Sequence, residues 1–550
     1  MVCDDLFMAY GYRRADRDQP FLLPPDMRDW LPAGHLAWFV IDAVAVLDLS
    51  RFAVRATPRG SAAGRAAYDP RVLLALLCYG YARGLRSSRK IERACTEDVA
   101  FRVICAQDPP DHATIARFRR QHFADEQAMA DLFAQVLAVA AAAGLGRLGL
   151  VAVDGTKIGA NASKDANRSE QKLRELAARI LAEAEEADAA EDALFGYARG
   201  DELPAELADP RTRRERIAAA LAQLDAGRQA AEAHRDAQAS AYLQAAASGR
   251  PGSGSRPPAA DVAAAQMRLD QATAAQQAKI DDWEQRNAQQ VAETGAGLRN
   301  PPRRPAGEHV RVRQAAVKLE KARARAAEAG RKAAEREAAR TGPGPVANIT
   351  DPDSHLMPVR GGGFIQGYNA QAAHSADGLC LGGLVTAQTT DYGCFGPLLD
   401  VIAAAQDILR AHARGPLHRL KAKTGIVLAD AGYLSEANLT CPGPDRLIAT
   451  GKRRDLARAA DGQIDASRRA DGRPLGGAAA AMAARIASPP GPACYRQRGP
   501  IAEGPFGNRK HNRGFRRFSM RGIARAGGEW TFENTISNLL KIHATGWQPA

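Results

Sequence analysis

The spacing of hydrophobic and polar positions changes several times along the chain, and each change predicts a different kind of element. In residues 1–147 the apolar positions recur at helical spacing, as in RVLLALLCYGYARGL. A Pro-Pro pair at 109–110 interrupts the pattern, Asp111 suits a helix N-cap, and a helix is predicted to resume at Thr114. We therefore expect a compact, all-helical N-terminal domain.

The pattern turns strand-like at residues 148–159, where LGLVAVDGTKIG is apolar with incomplete alternation, as in a buried strand. It turns strand-like again from about residue 346. Two strands are predicted to join near His374–Gly378, followed by the helix LLDVIAAAQDILRAHA and by strands at GIVLAD and RLIAT.

Between these two regions lies a stretch at 165–345 that is rich in Ala, Glu, Arg and Gln. Its apolar stripes are narrow, as at Ile217, Leu221 and Leu224, and they favour coiled-coil or helical-hairpin packing. Proline- and glycine-rich linkers divide it at 248–258 and 298–307. We see no constellation of residues for chemistry in this helical arm.

Without the arm, the order of strands and helices predicts a mixed α/β layer of RNase H-like type. The expected domains are a helical N-terminal domain, an α/β core in two pieces, a helical insertion and a C-terminal tail. Their boundaries are 1–147, then 148–164 with 346–541, then 165–345, and finally 542–550.

Charge narrows the class of partner. The 550 residues carry a formal net charge of +13, which favours a polyanion: nucleic acid first, an anionic membrane second. The alternative is a soluble protein from an arginine-rich genome. The N-terminus lacks the apolar stretch of a signal peptide, and no apolar run reaches the ~18 residues of a membrane span. We therefore expect a cytoplasmic protein with no membrane partner.

Three acids stand in settings that suit metal binding. Asp154 and Asp430 each follow an apolar run and are predicted to end a strand at a Gly turn, and Glu503 lies in a basic segment. Carboxylates placed in this way can hold two divalent ions about 4 Å apart, the arrangement that cleaves phosphodiesters. Taken singly, an Asp at a strand end is usually a turn residue. The joint context favours the metal site.

Basic residues surround the third acid. Residues 491–530 contain nine Lys or Arg against two acids, with Phe506, Phe515 and Phe518 among them. Lys510 follows Glu503 by seven residues, so two helical turns would place both on one face. The alternative is a basic surface helix whose phenylalanines belong to the core.

A second basic segment lies in the N-terminal domain. The turn that precedes Arg117, Arg119 and Arg120 resembles the second half of a helix-turn-helix. An ordinary helix with a solvated basic face explains the pattern equally well.

These residues give the chain a resemblance to the DDE transposases of bacterial insertion sequences, in the group with a Y-x-x-R…E-x6-K signature. The signature corresponds here to Tyr495, Arg498, Glu503 and Lys510. VDGTKIGANASK is similar to the family's first acidic block and VLADAGYLS to its second. The segments QPFLLPPDMRDWLP, PDHATIARFRRQH and GFIQGYNAQAA also resemble the family. The chain departs from the signature in two ways. Four residues separate Arg498 from Glu503, where the family usually has three, and Gly504 follows the glutamate, where proline is common.

The resemblance implies that Asp154, Asp430 and Glu503 are catalytic and hold two divalent ions, magnesium or alternatively manganese. It implies DNA contacts by Tyr495, Arg498 and Lys510. We add as candidate DNA-binding residues the neighbouring and N-terminal arginines Arg509, Arg513, Arg516, Arg517, Arg117, Arg119 and Arg120.

The expected function is that of an insertion-sequence transposase. It would bind the terminal inverted repeats, cleave the element ends and join the 3′-hydroxyls to target DNA. The resemblance implies that the N-terminal domain binds the DNA ends and that the α/β core is catalytic. It also implies a bacterial protein that joins the nucleoid when bound to DNA. The partners would be double-stranded DNA, both ends and target, and further copies of the chain in a dimer or larger synaptic complex. Two alternatives are a metal-dependent nuclease without strand transfer and an inactive, element-derived DNA-binding protein.

Overall fold

A helical layer forms the N-terminal part of the computed structural model. The structure describes residues 26–52, 67–178, 210–248, 256–302, 305–338, 345–359, 361–413, 423–468, 472 and 474–548, so the predicted motif at 19–32 lies partly outside them. The first helices are α1 Leu36–Ala45, α2 Pro70–Ala82, α3 Ser88–Glu97, α4 Val99–Ile104, α5 His112–Phe123 and α6 Glu126–Ala142. The Asp111 carboxylate accepts a hydrogen bond from the Thr114 amide at 2.8 Å, which confirms the predicted helix start.

A mixed sheet forms the centre of the molecule. Its strands are β1 Leu150–Gly159, β4 His355–Pro358, β5 Phe364–Ser375, β6 Cys380–Thr386, β7 Ile426–Ala429 and β8 Asp445–Ile448; β2 Asn167–Ser169 and β3 Val346–Asn348 form a separate ribbon. The order is β4-β5-β1-β7-β8, and β6 also pairs with β5. β5 runs antiparallel to its neighbours β1 and β6, whereas β7 and β8 run parallel to β1. The predicted mixed α/β class and the predicted strands are confirmed.

Helices cover both the sheet and its edge. After the arm the described helices are α10 Phe395–His412, α11 Glu436–Thr440, α12 Arg453–Ala460, α13 Gly477–Ala487, α14 Gly491–Arg496, α15 Gly504–Gly507 and α16 Ile523–His543. The last of these packs against α5, α6 and β6. It extends past residue 542, so the predicted tail begins inside a helix whose Ile542 is fully buried.

One hydrophobic core joins the N-terminal helices to the C-terminal helix. The Phe532 ring lies 5.1 Å from Tyr81 and 5.0 Å from Phe123, between ring centroids. The buried Tyr81 hydroxyl donates a hydrogen bond to the Glu529 carboxylate at 2.8 Å. The boundary near residue 147 is thus a change of secondary structure along the chain, while the packing continues across it.

The arm contains the described helices α7 Pro210–Ala247, α8 Pro258–Thr294 and α9 Val310–Ala338, separated where the linkers were predicted. It leaves the sheet through the β2–β3 ribbon. Ile217 and Leu224 pack with Leu173 and Ala347 in a small cluster of their own at this base. Within the described ranges, no helix combines the length and apolarity needed to cross a bilayer.

Candidate active site

Parallel pairing of two strands brings Asp154 and Asp430 together. The last paired residues of β1 and β7 are Ala152 and Leu428, and each acid stands two residues later. Since alternate strand residues face the same side, both acids continue the side of the sheet on which Ala152 and Leu428 lie. Asp430 ends its strand as predicted, and its carboxylate accepts a hydrogen bond from the Gly432 amide at 2.9 Å.

The position predicted for Asp154 needs a correction. Asp154 does not end a strand: β1 continues to Gly159, and Asp154 pairs with Ala372 of the antiparallel β5. The long β5 supplies a partner for this extension, so the Asp-Gly sequence remains extended. The acid is therefore held on a paired strand, which fixes it more firmly than a turn would.

An apolar cluster places the third acid above the first two. Ile501 and Ala502 pack on the sheet against Ala152 and Leu428, the residues two positions before the aspartates. Glu503 follows Ala502 directly. Burial of these small and branched side chains thus positions the glutamate over both aspartates.

Glu503 lies inside a helical segment. Gly499–Glu503 forms a π-helical turn between α14 and α15, and a second π turn follows at Asn508–Asn512. In a π turn the hydrogen bonds join residues five apart instead of four. Arg498 and Glu503 are five apart, and Nη1 of the arginine lies 3.4 Å from Oε1 of the glutamate.

This π turn explains the unusual spacing of the signature. The residue in excess between Arg498 and Glu503 is taken up by the wider turn, so the two side chains still meet. The same widening changes the angle between residues seven apart. The prediction that Glu503 and Lys510 share one face after two α-helical turns therefore does not apply to this segment.

Arg498 lies at the centre of the three acids. Its Nη2 atom is 3.1 Å from Oδ1 of Asp154 and 3.4 Å from Oδ2 of Asp430, while Nη1 reaches Glu503. The arginine side chain is 11% exposed, against 60% for Glu503. One guanidinium thus holds together three carboxylates that come from distant parts of the chain.

The acids outnumber the cation that pairs with them. Burial raises the pKa of Asp154 to about 6, with Asp430 and Glu503 acting in the same direction and Arg498 against it. A carboxyl whose ionised form is disfavoured by burial and by like charges gains from an additional cation nearby. The cluster is therefore suited to a divalent ion by its charge and by its oxygen donors.

In the part of the chain that the structure describes, no three His, Cys, Asp or Glu side chains are grouped closely enough to hold a metal ion. The contacts of Arg498 give the reason, because its guanidinium stands between the three carboxylates. The carboxylate oxygens are donors that fit magnesium. In this structure the three acids are spaced around the guanidinium of Arg498.

The other two signature residues brace the strands that carry the aspartates. The Tyr495 hydroxyl donates a hydrogen bond to the carbonyl of Ala429, next to Asp430, at 3.2 Å, and burial raises the pKa of Tyr495 to about 12. The Lys510 ammonium donates to the carbonyl of Lys157 on β1 at 3.0 Å, and burial lowers the pKa of Lys510. Both side chains are part-buried beside the acids.

Two of the candidate DNA-binding arginines are buried, which corrects the sequence prediction. Arg509 is 1% exposed, donates to the Ser537 hydroxyl at 3.0 Å and lies 5.0 Å above the Trp530 ring. Arg513 is also buried, and it pairs with the fully buried Glu533 at 2.8 Å. Both guanidinium groups are occupied inside the protein, so neither is placed to bind DNA.

The remaining arginines divide by exposure. Arg516, Arg517, Arg117 and Arg120 are exposed, whereas Arg119 is part-buried and donates to the carbonyl of Arg86. The interleaved phenylalanines are all buried, as the alternative interpretation of this segment held. The connection between α4 and α5 and the helix after it are as predicted, and the helix-turn-helix role stays a prediction.

A groove of about 750 Å³ opens beside the acids. Two cations that are not among the candidate DNA-binding residues, Lys452 and Arg496, line it together with the α12 surface. Arg496 belongs to the basic segment 491–530. The run GKRRDLARAA was the available signal for Lys452, but nothing in the sequence placed it near the acids. The acidic and signature residues along the groove are Asp430, Asp461, Tyr495, Arg498 and Glu503.

Two parts of the chain match known protein families. Residues 25–121 match the family described as Transposase domain (DUF772), and residues 466–543, which include Glu503, match the Transposase DDE domain. No curated protein and no solved structure matches the chain. The two family matches support a DDE transposase of the insertion-sequence type, so the prediction of the family is confirmed.

The family indicates an enzyme that acts on DNA, and its members normally use divalent metal ions.

Proposed function

We propose that the chain binds the terminal inverted repeats of an insertion sequence, cleaves the DNA at the ends and joins the 3′-hydroxyls to target DNA. The observation that carries the proposal is the convergence of Asp154, Asp430 and Glu503 on one guanidinium beside a groove. Acids from three distant segments, held by parallel pairing and by an apolar cluster, form one site.

We also propose that the sheet is an RNase H-like core. The strand order supports it: a central β1 carries one acid, an antiparallel β5–β6 hairpin lies on one side, and the parallel β7 with the second acid lies on the other. The third acid comes from a helical segment packed on the same face. The arm enters between β1 and β5 without altering their pairing.

Asp154, Asp430 and Glu503 would hold two divalent ions, magnesium or manganese. Such ions supply an activated oxygen nucleophile and stabilise the leaving oxygen of a phosphodiester. The protein's own part is to hold the carboxylates on paired strands and a packed helix. Tyr495 holds β7 from the groove side, and Lys510 holds β1.

DNA would lie along the groove, with its phosphates near the exposed cations. Lys452 and Arg496 line the groove, and Arg516 and Arg517 are exposed farther along the same segment. Arg117 and Arg120 would contribute from the N-terminal helices. Strand transfer at two ends calls for at least two copies of the chain, so we propose a homo-oligomer that assembles on DNA in the bacterial cytoplasm.

The test is Asp154→Asn, which keeps the size of the side chain and removes its charge. Strand transfer from a plasmid that carries the element's ends should fall by at least about a thousandfold, as when one member of a catalytic unit is lost. Binding of end DNA should persist and weaken steeply with salt. Asp461→Asn, in the same groove but outside the three acids, should retain activity.

Strand transfer by the Asp154→Asn protein at the wild-type level would refute the active-site assignment. Cleaved ends without joined products from the wild-type protein would instead favour a metal-dependent nuclease. A flat salt dependence of DNA binding would contradict the assignment of the exposed cations to phosphate contacts.

A further inference from the structure

The guanidinium of Arg498 fills the gap that a bridging ion would need. Its Nη2 atom lies 3.1 Å from an Asp154 oxygen and 3.4 Å from an Asp430 oxygen. Magnesium binds carboxylate oxygens at about 2.1 Å, so an ion held by both aspartates would occupy the space of that nitrogen. The two cations would also repel each other at this distance. Metal can therefore bind between the aspartates only when Arg498 withdraws.

We propose that Arg498 is an internal counter-ion which occupies the metal position until a DNA phosphate draws it into the groove, so that DNA and metal bind cooperatively. This inference rests on the proposed function. It makes Arg498 a positioning residue for metal entry, in addition to the DNA contact that the family resemblance implies.

The structure gives Arg498 a place to go. Its side chain lines the groove as well as the acid cluster, so a change of rotamer would direct the guanidinium to the groove. Its Nε atom is buried and has no hydrogen-bond partner, so the present position leaves one donor unsatisfied. A phosphate accepts two parallel hydrogen bonds from a guanidinium, which compensates the loss of the carboxylates.

Charge explains why the exchange would be cooperative. Three carboxylates face one guanidinium, so the cluster attracts further cations even with Arg498 in place. The attraction is weak at the position between the aspartates, because the guanidinium already lies there. Departure of Arg498 leaves three mutually repelling acids, which strengthens their attraction for divalent ions. The nearby Lys510 and Lys157 are engaged elsewhere, by a backbone carbonyl and by Asp391. The exchange therefore depends on Arg498.

The first test measures Mn²⁺ binding by electron paramagnetic resonance on full-length protein without DNA. Arg498→Gln should bind Mn²⁺ at least about tenfold more tightly than the wild type, because the competing cation is gone. Arg496→Gln is the matched control: it removes the same charge two residues away in the same groove. Its Mn²⁺ affinity should change by less than about threefold, because exposed charges act weakly through solvent.

The second test adds DNA to the same titrations. A duplex of 40 base pairs from the end of the element should tighten Mn²⁺ binding by the wild-type protein, and Mn²⁺ should tighten duplex binding by the same factor. In Arg498→Gln that factor should be clearly smaller, because part of the coupling passes through the missing guanidinium. An unchanged factor would overturn the proposal.

A third variant separates this proposal from the proposed function. If Asp154→Asn weakens Mn²⁺ binding while Arg498→Gln leaves it at the wild-type value, the counter-ion proposal is wrong and the metal site stands. If Asp154→Asn binds Mn²⁺ like the wild type, the metal site itself is wrong. Should Arg498→Gln fail to fold, Arg498→Lys replaces it. A lysine ammonium lacks the two terminal nitrogens with which the guanidinium reaches all three acids. The Mn²⁺ affinity of the Arg498→Lys protein should therefore still exceed that of the wild type.

Discussion

Three largely buried arginines of this protein are paired with carboxylates or covered by an aromatic ring. Arg513 pairs with Glu533, Arg498 with the three acids, and Arg509 lies against Trp530. Transfer of a charge from water is costly unless such partners are present. Within one basic segment, Arg509 and Arg513 therefore hold the helices near Glu503 together, whereas Arg516 and Arg517 are exposed to solvent.

His374 belongs to the same buried network and gives a prediction for pH. Its Nε2 atom faces a guanidinium nitrogen of Arg509 at 3.3 Å, and the ring is fully buried. Burial, together with the Arg509 charge, holds the pKa of His374 well below its usual value of 6.5. The unfolded chain therefore binds a proton below pH 6.5 that the folded protein excludes, and stability should fall as pH decreases.

The change that tests this is His374→Gln, which cannot titrate but can still accept a hydrogen bond. In urea unfolding between pH 7.5 and 5, the wild type should lose up to about 1.4 kcal/mol per pH unit below 6.5 relative to the variant. The exposed His412 serves as control, and His412→Gln should parallel the wild type. If the free energy of unfolding depended on pH in the same way for all three proteins, protonation of His374 would not destabilise the folded protein, and the prediction would be wrong.

The sequence was sufficient to select the acids but not to describe the residues around them. Asp154, Asp430 and Glu503 stand in recognisable motifs, so it was predictable that the fold brings them together. Burial of Arg509 and Arg513 was not, because a run of basic residues does not reveal which side of a helix faces the core. The contact of Arg498 with all three acids depends on strand register and on a π turn, and neither has a local sequence signal.

Among the elements, those with a continuous apolar pattern were the predictable ones. The runs LVAV in β1 and IVLA in β7 are apolar and mostly buried, so the patterns of these two strands were clear. The short β2, β3 and β4 escaped prediction because three or four residues carry too little periodicity. Helix α12 escaped too, since its sequence is basic and its role depends on its place along the groove.

Helix α16 carries adjacent glycines that provide a matched pair for mutation. A Cβ atom on Gly528 would lie 2.0 Å from the carbonyl oxygen of Phe123, at the end of α5, whereas one on Gly527 would have nothing within 4 Å. Gly528→Ala should therefore force the two helices apart and destabilise the protein by about 1–3 kcal/mol or more. Gly527→Ala should stabilise the helix by up to about 1 kcal/mol.

Thermal unfolding followed by circular dichroism checks both directions in one experiment. The midpoint should fall for Gly528→Ala and stay or rise for Gly527→Ala. Equal midpoints would mean that the C-terminal helix does not press on α5 as closely as 2.0 Å implies. A loss in both variants would point instead to a need for glycine in the helix itself.

At the scale of the whole molecule, one hydrophobic core contains residues of the N-terminal helices, the sheet and the C-terminal helix. The arm has small hydrophobic clusters of its own. Arg216 donates to the carbonyl of Thr350 at 2.7 Å, and Gln223 contacts the His355 ring at 3.1 Å. Farther out, Asp261 binds Tyr242 and Arg325 of the neighbouring helices at 2.8 and 2.7 Å. Among the described residues, these contacts join the helices of the arm to one another and attach the arm to the core at its base.

The ribbon at that base shows where the arm can be removed. Ser169 and Val346 are the last pair of β2 and β3, so residues 170–345 can be replaced by Asn-Gly, which closes a two-residue hairpin. The shortened protein should be soluble and unfold cooperatively, with less helix by circular dichroism, because β1 and β5 keep their pairing. Loss of assembly on DNA with folding intact would assign the arm to synapsis. An insoluble product would contradict the prediction and make the arm part of the core.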